Sequence, residues 1–191
     1  MGKIVISTNS TLDGVVQDPD GEDGFSRGGW FNGLGDKDKE AWAKVFFDEA
    51  MTAGALLLGR HSDAWFAGRW DSREGVWADR LNSLPKYVVS STLEKTAWRN
   101  GTVLSGDPAT EVARIRETVP GDILLYGSAR LAHTLLAHGL VDEIRLVVFP
   151  TLLGAGTRLF PETPAEHRLR LTGTRPVGDS LVLVTYEAVR D

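Results

Sequence analysis

The stretch Ile123–Phe160, ILLYGSARLAHTLLAHGLVDEIRLVVFPTLLGAGTRLF, constrains the fold of this chain most, because it holds strand, glycine turn, helix and second strand in one unit. Ile123, Leu124 and Leu125 form the short apolar run of a strand buried on both faces. Gly127 and Ser128 break that run where a helix begins. Leu131, Leu135 and Leu136 recur at helical spacing, and Gly139 ends the helix. A helix that starts just past the carboxyl end of a buried strand points free N–H groups and its positive end outward, which suits an anion. An ordinary strand-helix-strand crossover is the competing reading of this segment alone.

Two further strand ends repeat the pattern. Ala55–Leu58 runs into Gly59, Arg60, His61 and Ser62 ahead of a short helical stretch through Trp65 and Phe66, with Ser62 as a candidate helix cap. Lys86–Val89 ends in the paired hydroxyls of Ser90 and Ser91. Arg60 brings a planar fork of donors, His61 a ring that stacks or donates, and the serines hydroxyl donors for phosphate oxygens.

The whole chain of 191 residues fits one domain, spanning 1–191, with a core of ordinary size. Strands are expected at Lys3–Thr8, Ala55–Gly59, Lys86–Ser90, Thr102–Leu104, Ile123–Tyr126 and Glu143–Phe149. Helices are expected over Asp38–Thr52, with Trp42, Phe46 and Ala50 on one face, and after Asp107-Pro108, a cap and first-turn proline. Leu169–Arg175 and Ser180–Glu187 read as an antiparallel hairpin around Pro176–Asp179. The expected class is α/β: a three-layer α/β/α sandwich whose mostly parallel sheet carries an antiparallel edge hairpin. Gln17–Lys39 is a long Gly- and Asp-rich segment with Phe25, Trp30 and Phe31. It reads either as a lid over a flat ring or as an exposed loop anchored by Trp30.

A net charge of −5 and a pI near 5.4 argue against a nucleic-acid partner. The absence of cysteine removes disulfides, thiolate catalysis and cysteine metal sites. His133 and His138 are five residues apart and do not share a helix face, so no metal site is expected. No apolar run approaches membrane-spanning length and the N-terminus has no signal region, so a cytoplasmic chain without a membrane partner is expected.

LLLGRHSDAWF, YVVSSTL and LLYGSARL resemble, in order, the three NADPH-contacting segments of the dihydrofolate reductase fold. GLVDEIRLVVFPTLLGAGTRLF and the opening STLDG, Ser10–Gly14, are closer to its riboflavin-type branch, the reductase domain of riboflavin deaminase/reductase proteins and their stand-alone bacterial relatives. The resemblance runs from Lys3 to about Glu187. It implies NADPH as cofactor, held by Gly59, Arg60, His61, Ser62, Ser90, Ser91, Gly127, Ser128, Ala129, Arg130 and Leu131. It also implies Asp13 beside the nicotinamide as the catalytic candidate, orienting a substrate amine or hydroxyl, a competing reading being that Asp13-Gly14 is only a tight turn. Trp30, Phe31 and Phe47 are the substrate-facing candidates. The implied reaction is reduction of a small heterocyclic or carbonyl substrate, a ribosylaminopyrimidine of riboflavin biosynthesis among them. Pterin reduction and a non-catalytic nucleotide- or flavin-binding module are the alternatives, and a homodimer is one assembly open to such a chain. Folate reductases carry an acidic residue roughly sixteen positions before the glycine of the Gly-Arg turn. Ala43 stands there in this chain, with Glu40 one turn away. The family also places a cis peptide at Gly127-Ser128, against an ordinary trans turn favoured by the Cβ of Ser128.

Overall fold

A strand with helices on both sides must be apolar at every position, and its alternation then deals residues to two separate cores. The computed structural model, which describes residues 1–160 and 166–190, follows this rule. In order the elements are β1 (Lys3–Thr11), α1 (Asp36–Thr52), β2 (Ala55–Gly59), α2 (Arg60–Trp70), α3 (Val76–Ser83), β3 (Lys86–Val89) and β4 (Gly101–Leu104). They continue with α4 (Pro108–Thr118), β5 (Asp122–Tyr126), α5 (Ala129–Ala137), β6 (Glu143–Phe149), β7 (Leu169–Val177) and β8 (Leu181–Ala188). The sheet order is β4-β3-β2-β5-β1-β6-β8-β7. Neighbours from β4 to β6 are parallel, while β8 runs antiparallel to both β6 and β7. This is the expected sandwich with its antiparallel edge.

Val5, Leu56, Leu58, Leu124 and Tyr126 face one core, which they share with Val45, Phe46 and Ala50 of α1 and Leu81 of α3. Ile4, Ile6, Ala55, Leu57, Ile123 and Leu125 face the other, closed by Val112 and Ile115 of α4 and Leu131 and Leu135 of α5. Burying side chains of this size contributes about 1.5–3 kcal/mol each, so the two cores are the main source of stability.

The element ends show which local signals carried weight. Asp107 caps α4 as expected, accepting from the Thr110 N–H at 2.9 Å. Asp38 was expected to open α1, yet the helix begins at Asp36, and Asp38 instead docks the β7–β8 turn by accepting from the N–H groups of Asp179 (2.6 Å) and Ser180 (3.2 Å). Gly178 in that turn has φ +66°, and a Cβ there would meet the Asp38 carboxylate. β1 runs to Thr11, three residues beyond the expected end, and α3 has no counterpart in the sequence expectations.

Candidate functional site

Parallel strands put all their carboxyl ends on one rim, and in open α/β sheets the site forms there. On this rim β3, β2, β5, β1 and β6 end side by side. Ser128 ties two of these ends together: its hydroxyl accepts from the Gly59 N–H at 2.8 Å and donates to the Ser62 hydroxyl at 2.8 Å. The turn before α5 is held in the left-handed region, with φ +58° at Gly127 and +57° at Ser128. No cis peptide occurs among the described residues, so the cis alternative at Gly127-Ser128 is set aside for the trans turn. A Cβ on Gly127 would sit 3.1 Å from the Ser62 hydroxyl, so that side chain would have to give way by a few tenths of an ångström.

The helices that start here, α2 and α5, are adjacent across the paired strands β2 and β5. Neither Gly59 nor Ser128 supplies a side-chain cap. Two positive helix ends, whose first-turn N–H groups have no partner among the described residues, therefore face one place, a disposition that favours an anion with several oxygens. Ser62, expected as a cap, is instead the partner of Ser128.

Arg60 stands at the outer side of this cradle. Its guanidinium leans toward the end of β3 and approaches the Thr92 hydroxyl at 3.4 Å. The Ser90 hydroxyl accepts from the N–H groups of Thr92 and Leu93, both at 3.2 Å, and so shapes the turn that presents exposed Ser91 and Thr92. His61 projects outward and pairs with Asp23 at 3.3 Å, which links α2 to the loop before α1. Ala129, Arg130 and Leu131 form the first turn of α5, and Leu131 points into the core beneath it.

Asp13 follows β1 on the same rim. Its carboxylate accepts from the Thr11 hydroxyl (2.7 Å) and from the N–H groups of Gly154 (2.7 Å) and Leu153 (3.2 Å). These bonds, led by Thr11, hold its pKa at about 2. Asp13 is thus a clamp between the end of β1 and the loop after β6, ionised near neutrality and unable to supply a proton there. Its folded pKa lies below its ordinary value, so its contribution to stability is complete above the ordinary carboxylate range and is lost as pH falls toward 2.

The loop across residues 17–35 is built on Asp18, which is buried and accepts from the N–H groups of Asp23 (2.9 Å) and Phe25 (3.0 Å). Asp20 fastens it to α2 through Trp65 Nε1 and Arg69, each at 2.9 Å. Trp30 is only 9 % exposed, donates to the Gln17 carbonyl and meets Phe149 edge-on at 4.9 Å. It anchors the loop and has no free face for a ring substrate. Phe31 is half-buried between Trp42 (4.8 Å) and Phe149 (5.8 Å), at the edge of the rim. Phe47 is turned away: one position along α1 from Phe46, it packs on Trp77 of α3 at 6.2 Å. On α1, Glu40 is exposed and Ala43 is half-buried, so neither provides a carboxylate beside the sheet.

Several groups on the α1 side of the sheet have no local signature in the sequence. Tyr126, the last residue of β5, lies level with Ser7 of β1 and Arg145 of β6. Under it Glu49 of α1 accepts from the Ser7 hydroxyl at 2.7 Å and from the Tyr126 hydroxyl at 3.5 Å. Burial pushes the Glu49 carboxyl up, opposed by Ser7 and Arg145, and burial with the Glu49 charge raises Tyr126 well above its ordinary value. Arg145 gathers Glu143 (2.5 Å), Asp122 (2.8 Å) and Glu49 (3.5 Å), and the bonds to Asp122 and Glu143 outweigh its burial and hold it charged. Among the described residues no group of three or more His, Asp or Glu side chains is arranged to hold a metal ion, and no helix is long and apolar enough to cross a membrane.

The chain as a whole is similar to known proteins. The model of the RibD C-terminal domain matches residues 2–183. The chain belongs to the RibD C-terminal domain family. YyaP, an uncharacterized protein of Bacillus subtilis, is 28 % identical to this RibD C-terminal domain over 192 residues, covering 96 % of the chain and 94 % of YyaP. Among solved structures, a candidate riboflavin biosynthesis protein of Shewanella sp. PV-4 is similar with a TM-score of 0.71 at 19 % identity, over 98 % of this chain and 99 % of that one. A pyrimidine reductase-like protein of Corynebacterium diphtheriae is similar with a TM-score of 0.65 at 13 % identity, over 99 % and 92 %. The diaminohydroxyphosphoribosylaminopyrimidine deaminase/5-amino-6-(5-phosphoribosylamino)uracil reductase of Thermotoga maritima gives 0.63 at 16 % identity, and 98 % of the RibD C-terminal domain matches 57 % of that longer chain. At these identities the solved structures establish a shared RibD-like, dihydrofolate-reductase-type fold.

Proposed function

We propose that this chain is an NADPH-dependent reductase of a small heterocyclic or carbonyl substrate, with a ribosylaminopyrimidine of riboflavin biosynthesis as its finer assignment. The observation that carries the reading is the Ser128 link, which aligns the uncapped starts of α2 and α5 on one spot. Gly59, Ser62 and the Gly127–Leu131 turn would hold the pyrophosphate, and Arg60 with Ser90, Ser91 and Thr92 the 2′-phosphate. The donor set fits that group: one guanidinium and exposed hydroxyls, with no carboxylate on the β3 end to favour a free ribose until Glu94. When bound, the nicotinamide supplies the hydride, and the protein's part is to bind, orient and exclude water. Asp13 orients the end of β1 and the loop at Leu153 and Gly154, so it positions the rim and does not transfer a proton.

The pterin alternative is weakened by exposed Glu40, and the binding-module alternative is separated by turnover. NADPH oxidation should be followed with aminopyrimidine, pterin and quinone substrates in turn. Oxidation with an aminopyrimidine or quinone supports the proposal, pterin alone moves the chain to folate-type reduction, and cofactor binding without any oxidation leaves a binding module. Asp13→Asn should lower turnover while leaving the NADPH dissociation constant unchanged, because an amide sets a donor against the donors of the clamp. No limb of the pH–rate profile near neutrality should belong to Asp13. Unaltered turnover in Asp13→Asn returns the residue to a plain turn.

A further inference from the structure

Trp42 of α1 donates from Nε1 to Oδ1 of Asn9 at 2.8 Å. An indole N–H only donates, so the contact fixes which way the amide faces: oxygen toward Trp42, NH2 away from it. Among the described residues that NH2 group has no hydrogen-bond acceptor, and Asn9 is half-exposed. Its place in the sheet says what it confronts. Ser7 lies opposite Tyr126, where β5 ends, so Asn9, two residues on and on the same face, stands one pleat beyond β5. Its strand neighbour on one side is Val147 of β6, and on the other side the chain has turned into Gly127 and the cradle. Aromatic rings border this place: Trp42 meets Phe31 and Phe46 at 4.8 Å each, and Phe46 meets Tyr126 at 5.8 Å.

We propose that Asn9, its amide oriented by Trp42, is a specificity-determining residue whose NH2 group selects substrates presenting a carbonyl or ring-nitrogen acceptor to β1 and rejects rings presenting an amino group there. The inference rests on the reductase reading for the word substrate, but its geometry concerns only the Asn9–Trp42 pair. A flat ring beside these aromatic walls gains by burial whichever edge it presents. An acceptor edge also gains a hydrogen bond, while an amino edge sets donor against donor and leaves both unpaired. Trp42 prevents the amide from turning over to relieve the mismatch.

The test uses two neutral six-membered rings of similar size, uracil with two carbonyl groups and meta-phenylenediamine with two amino groups, and ligand-detected NMR on the full chain with and without NADPH. Wild type should prefer uracil by roughly tenfold. Asn9→Asp keeps an acceptor for Trp42 but presents oxygen to the ring, so the preference should invert. In Trp42→Phe the amide is free to rotate, and the preference should shrink toward parity without reversing. The same preference in wild type and Asn9→Asp would overturn the proposal, as would failure of both rings to bind. A wild type that shows the preference but binds no NADPH would remove the reductase reading and leave the role of Asn9 intact.

Discussion

Arg145→Met is expected to cost about 3 kcal/mol of stability at neutral pH, the lower end of what removing one member of a buried ion pair costs. Arg145 is the shared cation of Glu143, Asp122 and Glu49. Without it three carboxylates crowd one side of the sheet, two of them largely buried. Asp122 is 26 % exposed, and water there screens part of the loss. The effect has a pH signature. Glu49 is already raised in the intact protein, so its folded form holds a proton more readily than the unfolded chain, and stability falls as pH rises through its folded pKa. Removing Arg145 takes away an influence that lowers Glu49, which extends this behaviour and strengthens it. Chemical denaturation at neutral and at mildly acidic pH should therefore show a deficit that is large at neutrality and shrinks as the carboxylates protonate. A deficit independent of pH would mean that Arg145 acts through packing of its stem alone.

Arg60→Ala should weaken NADPH by about 1.5–3 kcal/mol, roughly ten- to a hundredfold, and leave NADH nearly unchanged. Among the described residues the Arg60 guanidinium hydrogen-bonds to the Thr92 hydroxyl at 3.4 Å and joins no ion pair, so the fold should be unaffected by its loss. The proposed partner is the 2′-phosphate, which NADH lacks. Because the guanidinium lies at the surface, the NADPH preference should fall as salt is added, and Arg60→Lys should recover only part of it, a point charge in place of a planar fork. Equal losses for both cofactors would move Arg60 from the 2′-phosphate to a group that both molecules share.

The cradle was legible in the sequence because its parts are local. A buried strand, a glycine and a helix start lie within ten residues of one another at Leu56–Trp65 and again at Leu124–Leu131, and each obeys rules of period and turn chemistry that need no distant partner. The sheet was legible for the same reason, since continuous apolar runs require covering on both faces. The remainder depends on contacts between distant residues. Ser62 looks like a helix cap, and only the approach of Ser128, 66 residues away, makes it a link between two turns. Trp30 in a polar, glycine-rich loop is equally compatible with a lid and an anchor until Phe149 closes on it. Phe47 shares its helix with the rim residue Trp42, yet a helix turns about 100° per residue, and that rotation sends Phe47 to Trp77 instead. The β1 clamp at Asp13 joins residues 141 apart, and the Asn9–Trp42 pair 33 apart. Val76–Ser83 spans only 8 residues, about two turns, too short for a helical period to announce α3.

Titration calorimetry of the wild-type chain with NADPH and, separately, with NADH tests the proposed dinucleotide cradle. Two uncapped helix starts aligned by Ser128, with Arg60 and the β3 hydroxyls beside them, require that NADPH binds and that it binds at least roughly tenfold more tightly than NADH, the ratio of one charged hydrogen-bonding group. Equal affinity for the two dinucleotides, or no binding of either, would contradict it.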